Sequence, residues 1–321
     1  MEAYSVLRRM GSLVSALLLF GYGCAAPPDS TQFKPGLPVA TMIDARPAAL
    51  VNSKAVGWGE LRPLLNEAAG AECLQEVILD RALDTALADA GLTVGPEGIA
   101  AEQRRLLETL DPDLDVALRL QDELRARQGL GRTRFAGLLR RNAALRALVG
   151  DQVQVTDAAV RRLYELIHGP RRQARLMVLS DLATAQAARE RVQGGEFFGD
   201  VAVELSTDSS AARGGLLEPI ARADPSYPEA LRHGLFSLEP GAISSSILVD
   251  EGYALLMLVR EIEGDGADLE AERSTLERLV RLNQERLLMD RLARRLLTNT
   301  TLTIYDDALH ESWNRRGRRS R

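Results

Sequence analysis

The spacing of apolar positions changes its period along the chain, and each change marks a unit. Between residues 71 and 150 the steps are of three and four. Leu74, Ile78, Leu79, Leu83, Ala86, Leu87 and Ala90 share one helical side, and Gly91 is placed to stop it. Further helices are expected over 99–110, 114–128 and 134–149, the last with Leu138, Leu139, Leu145 and Leu148 on its apolar side. Asp111-Pro112-Asp113 parts the first two, because proline cannot continue the hydrogen-bond ladder and turns the preceding residue away from helix. Thr156 is an N-cap for 157–167, supported by Asp157 in the first turn, and Gly169-Pro170 closes the run. Ahead of these helices, residues 48–56 read as a short strand with an Asn-Ser turn, followed by a helix over 60–67.

From residue 172 alternation sets in. A strand over 172–179, a helix over 184–193, a Gly194-Gly195 turn, a helix over 197–205, a mostly helical 225–238 and a hairpin of 243–249 with 253–262 across Asp250-Glu251-Gly252 predict a compact α/β unit. Past Gly264-Asp265-Gly266 the helical period returns over 269–297, with Leu276, Val280, Leu287, Leu288, Leu292 and Leu296 in one stripe. A helix of that length needs a mate, and the helices before residue 168 supply one. Residues 45–168 and 267–310 are therefore expected to form one helical domain into which 170–264 is inserted. TLTIY at 301–305 is expected to add a strand beside 48–51. Residues 311–321 are a basic tail, read as a solvated end, with anionic lipid as the sharper alternative.

Composition narrows the chemistry. Basic residues are almost all arginine (lysine occurs only at Lys34 and Lys54), the net charge is −5, and no basic face is interleaved with aromatics, so nucleic acid is not an expected partner. GEFFGDV and GGLLEP match no nucleotide-binding loop. His168, His233 and His310 share no ligand spacing, so neither a metal nor another cofactor is expected. Cys73, beside Leu74, Val77 and Ile78, is expected to be a buried inert thiol.

The N-terminus carries Arg8-Arg9, an apolar run over 11–22 and then Gly23-Cys24. The run is too short to span a bilayer as an ordinary helix, so 1–23 is expected to be a signal peptide. Cys24 is then the candidate lipid attachment point, with 24–44 as a Pro-rich linker; cleavage nearby or an uncleaved anchor are the alternatives. With Cys24 acylated, Cys73 has no partner for an intramolecular disulfide.

The order of motifs in 175–263 resembles a known family. A basic strand and helix lead to GEFFGDVAV, then ELSTDSSAARGGL, LFSLEPGAIS and DEGYALLMLV. This series resembles the parvulin-type (rotamase) peptidyl-prolyl isomerase domain, and the V-N-x-x-x-V-plus-helix start ahead of it resembles SurA-like and PrsA-like envelope foldases. The resemblance implies an α+β protein: a mainly helical chaperone domain with an inserted parvulin-like α/β domain. It implies a folding factor on the periplasmic side of a bacterial envelope, tethered through a lipid anchor, that binds unfolded or Pro-containing segments of exported polypeptides. A non-enzymatic chaperone or scaffold on the same fold is the alternative. By the same resemblance Asp208 takes the Cys-or-Asp catalytic position, and Leu176, Leu231, Phe236 and Ala254 take substrate-binding positions. Leu176 and Ala254 stand where the family carries two histidines, so isomerase activity is expected to be weakened.

Overall fold

The computed structural model describes residues 46–319, so the expectations for the signal peptide, Cys24 and the linker lie outside the described residues. Contacts divide the chain into two compact units. One holds residues up to 153 together with those from 283 onward, and the other holds 154–282.

In the first unit, β1 (Ala49–Val51) and β2 (Lys54–Val56) form an antiparallel hairpin. Asn52 and Ser53 sit at φ 50° and 64°, the left-handed pair that lets a two-residue turn follow the twist of its strands. Helix α1 (Trp58–Leu65) runs through a wider turn, Asn66–Gly70, into α2 (Ala71–Asp89). Then come α3 (Pro96–Leu110), α4 (Leu114–Arg127) and α5 (Arg132–Val149). Proline opens α3, where its missing N–H costs nothing, and the Asp113 carboxylate caps α4 by accepting from the N–H groups of Asp115 and Val116. The core joins Leu79, Leu83 and Leu87 of α2 to Ala144, Leu145 and Val149 of α5, and to Leu292 and Ala293 of the long helix near the C-terminus.

Three expectations are corrected in this unit. Cys73 is exposed, not buried: at 100° per residue it lies far round the helix from Ile78 and Leu79, which set the buried side. Leu287 is 67% exposed, so the long helix buries Leu276, Val280, Leu292 and Ala293 and leaves Leu287 off its stripe. TLTIY forms no strand; β1 pairs with β2 alone among the described strands, and Ile304 is buried from an irregular segment. The basic end is also helical as far as it is described. A helix over Asp307–Arg319 packs on the start of α2, with the Ser312 hydroxyl accepting from the Ala71 N–H at 3.3 Å and Asp306 capping the Leu309 N–H at 2.8 Å. The Asp306-Asp307 start was the legible signal for it, outweighed in the reading by the arginines that follow.

The second unit holds a four-stranded sheet in the order β4-β3-β6-β5, with all pairs antiparallel: β3 Arg171–Leu179, β4 Ile220–Ala221, β5 Ile247–Val249 and β6 Gly252–Ile262. Side chains alternate across it. Met177, Leu179 and Leu255 pack with Phe198, Val201 and Ala202 under the helices α7 (Leu182–Gln193) and α8 (Phe198–Leu205), whereas Ala174, Leu176, Val178, Ala254, Leu256 and Leu258 face Leu231 and Leu235 of α9 (Glu229–Phe236). A register shift between Gln173 and Ala174 sets the phase in which Leu176 and Ala254 share the α9 side.

Two more elements belong to this unit. Helix α6 (Asp157–His168), capped by the Thr156 hydroxyl at the Ala159 N–H, packs Val160 against Leu276 and Val280 of α10 (Leu269–Thr298). Arg273 reaches Asp157 at 2.7 Å, and the Tyr164 hydroxyl donates to the Ala267 carbonyl at 2.5 Å. The long helix thus contributes its first half to the sheet-bearing unit and its second half to the helical one.

Candidate functional site

Strand β3 is the base on which the site is built. One edge carries β6 along its whole length, while the other is covered by the loop 206–217, acting as an irregular strand. The Ser206 hydroxyl accepts from the Val178 N–H at 3.0 Å, and the Thr207 N–H donates to the Val178 carbonyl at 2.9 Å. Farther along, the Leu176 N–H donates to the Gly215 carbonyl at 2.8 Å and the Leu217 N–H to the Ala174 carbonyl at 2.9 Å. Gly214 and Gly215, at φ 62° and 73°, make this approach possible; a Cβ on Gly215 would lie 2.2 Å from the Leu176 carbonyl oxygen. The Ser-Thr-Asp-Ser-Ser run and the glycine pair therefore serve a structural purpose first, holding Leu217 over Leu176.

Above that base lies a small apolar hollow lined by Leu176, Leu217, Ile220, Tyr227, Leu231, Arg232, Leu235 and Leu256. Its volume of about 10 Å³ has room for one water at most, so the side chains nearly fill it. Of the sequence-predicted residues, Leu176 and Leu231 line this hollow. Ala254, fully buried, lies in the same cluster beneath it, and Phe236 packs on the cluster's edge between the guanidinium groups of Arg172 and Arg222, at 5.1 and 4.8 Å.

Asp208 stands at the start of the tight turn Ser209–Arg213, its carboxylate accepting from the Ser210 N–H at 2.8 Å and the Ser210 hydroxyl at 2.5 Å. Those bonds anchor the loop and occupy one oxygen of the group. Tyr227 and Arg232, both missed by reading the sequence, also line the hollow, and they present only apolar surface to it. Burial pushes the Tyr227 phenol above its ordinary range, and the negative charges of Asp224, Asp208 and Glu218 push it the same way. The hydroxyl therefore stays protonated and is a donor. Arg232 is pinned by the carbonyls it serves, Nε to Tyr227 at 3.1 Å and Nη1 to Arg222 at 2.7 Å. Spacing was the available signal: Tyr227, Leu231 and Leu235 stand four apart, on one side of a helix and its approach.

Among the described residues no group of three or more His, Cys, Asp or Glu gathers as a metal cluster, and no helix is long and apolar enough to cross a membrane.

Comparison with known proteins fits this geometry. Residues 180–260 match the family described as "Rotamase: PPIC-type PPIASE domain". Over 164 residues the chain is 27% identical to "Foldase protein PrsA" of Bacillus subtilis, a match taking in 51% of this chain and about half, 55%, of that relative. With "Foldase protein PrsA" of Oceanobacillus iheyensis it shares 24% over 222 residues, 68% of this chain and 70% of the relative. A solved structure of "Peptidylprolyl Isomerase (PrsA) from Bacillus anthracis" aligns with TM-score 0.43 and 16% identity over 70% of this chain and 97% of that one. Residues 180–260 form a PPIC-type rotamase domain, and over half of its length or more the chain is similar to PrsA foldases.

Proposed function

We propose that this protein is an envelope folding factor that holds unfolded or Pro-containing segments of exported polypeptides, with prolyl isomerisation reduced to a weak activity. The observation that carries this reading is the apolar, closed hollow at Leu176, Leu231 and Tyr227, with Ala254 beneath it and the Asp208 carboxylate engaged at Ser210. Isomerisation must cross a barrier of roughly 18–20 kcal/mol set by amide resonance, and catalysis needs groups that favour the twisted amide over the planar one. Leucine and alanine grip a proline ring by contact alone. Each tenfold loss of rate corresponds to about 1.4 kcal/mol of transition-state stabilisation.

A protease-coupled assay with Ala-Pro and Glu-Pro peptides tests this. We expect a specificity constant at least about a hundredfold below that of a two-histidine parvulin under the same conditions, roughly 2.7 kcal/mol in the barrier. Parity between the two would overturn the reading. Client holding is assigned to residues 45–168 with 267–310, because α1 and the β1–β2 hairpin expose Leu50, Val51, Trp58, Leu64 and Leu65. The reading includes a lipid tether at Cys24, on the periplasmic side of the envelope. Metabolic labelling with a fatty acid is expected to tag the natural chain and not Cys24→Ser; equal labelling of both would defeat the tether.

A further inference from the structure

A second concavity lies on the far side of α9 from the hollow and shares none of its lining residues. It is an open groove of about 540 Å³ between α9 and the segment entering β5, lined by Glu229, His233, Ser237, Ser245 and Ile247 among others. Its depth is set where α9 and β5 approach most closely: a Cβ on Gly234 would lie 2.6 Å from the Ile247 side chain. Strand β5 is the last strand of its sheet, so its outer edge meets no other strand among the described residues. Beside that edge Leu248 is 69% exposed. An uncovered strand edge with an apolar side chain standing next to a groove is the arrangement that accepts an added strand.

Four carboxylates stand around it. Glu229 lines the groove, Glu239 follows the lining residue Leu238, and Asp250-Glu251 form the turn that ends β5. Among the described residues, none of these four carboxylates is held in an ion pair or a side-chain hydrogen bond. Against them stands Arg189, whose Nε donates to the carbonyl of the lining residue Ser244 at 3.0 Å. From the open edge, Leu248 and this acidic surround, we propose that the α9–β5 groove binds an extended, basic polypeptide segment as a fifth strand antiparallel or parallel to β5. The main chain supplies the pairing, an apolar residue covers Leu248, and lysine or arginine on the segment faces Glu229 and Asp250-Glu251. Proline is not required, and its missing N–H makes it a poor occupant of such an edge. A second copy of this chain is a weaker fit, because pairing β5 with β5 would bring the same carboxylates together.

The test uses the full chain and a fluorescent, proline-free peptide of alternating valine and threonine with interspersed lysines, read by anisotropy. We expect saturable binding, weakened roughly tenfold or more when the lysines become glutamates, and lost when alternate peptide amides are N-methylated. Glu229→Lys with Glu251→Lys is expected to weaken it similarly, and Leu248→Arg to abolish it, with circular dichroism unchanged from the natural chain. A saturating Ala-Pro peptide should leave the anisotropy unaltered, which keeps this result separate from the reading of the hollow. No binding at millimolar peptide, equal binding of the glutamate or N-methylated peptides, displacement by the proline peptide, or a stable dimer dissociated by Leu248→Arg would each overturn the proposal.

Discussion

Gly215→Ala is expected to destabilise the sheet-bearing unit by about 3 kcal/mol or more, far beyond an ordinary glycine replacement. Two costs combine. The position has φ +73°, where an L side chain is strained by roughly 1–2 kcal/mol. The added Cβ also falls 2.2 Å from the Leu176 carbonyl oxygen, a backbone atom that can yield only if the loop leaves β3. Retreat would break the bond from the Leu176 N–H to Gly215, at 2.8 Å, and lift Leu217 off Leu176. Gly241→Ala is the matched control, since φ is +83° there but nothing lies within 4 Å of the new atom; it should cost only about 1 kcal/mol. Hydrogen exchange at the amides of β3 and β6 reads the difference. Protection lost equally in the two variants would show that the close approach is not what holds the loop.

That contrast shows how far the sequence carried the fold. The glycine pair, the Ser-Thr-Asp-Ser-Ser run and the Pro-Gly turn could be placed in order, because each is a short-range device whose residues state their own geometry. The family resemblance, rather than alternation, assigned Leu176 and Ala254 to one site, and the structure puts both on the α9 side of the sheet. What alternation could not supply is how tightly α9 settles on that side. The closing of the hollow by Tyr227 depends on helix-to-sheet distance, which packing sets and no local pattern records. Cys73 and Leu287 were misread for a related reason. An apolar neighbourhood in sequence says little when the decisive quantity is the angle around a helix. A mate for α10 could be expected among the helices before residue 168, but not which part of its stripe meets which helix: Leu276 and Val280 take Val160 of α6, while Leu292 and Ala293 take α2 and α5.

Arg141→Met is expected to cost the helical unit about 3 kcal/mol at neutral pH, although the methionine keeps most of the buried stem. Arg141 is only 4% exposed and pairs with Asp80 at 3.1 Å and Glu76 at 3.3 Å, joining α5 to α2. Glu76 retains Arg134 at 2.5 Å when Arg141 is removed, whereas Asp80 keeps only the distant Arg140 at 3.9 Å. Burial already pushes the Asp80 carboxyl above its ordinary range, with Arg141 as the largest opposing influence. Removing that cation moves the folded-state value further up. A carboxyl raised in the folded state binds its proton there at pH values where the unfolded chain has lost it. Its contribution to stability therefore falls as pH rises from the ordinary carboxylate value toward the raised one. The gap between Arg141→Met and the natural chain should accordingly be widest near neutrality and narrow on acidification through that window. Adding Asp80→Asn should recover part of the loss and flatten the pH dependence, since the orphaned carboxylate is gone. Urea unfolding followed by the emission of Trp58 and Trp313, the chain's only tryptophans and both in this unit, measures each variant across pH. A difference under about 0.5 kcal/mol at neutrality, or one that grows as the pH is lowered, would show that the Arg141 pair does not hold α2 to α5.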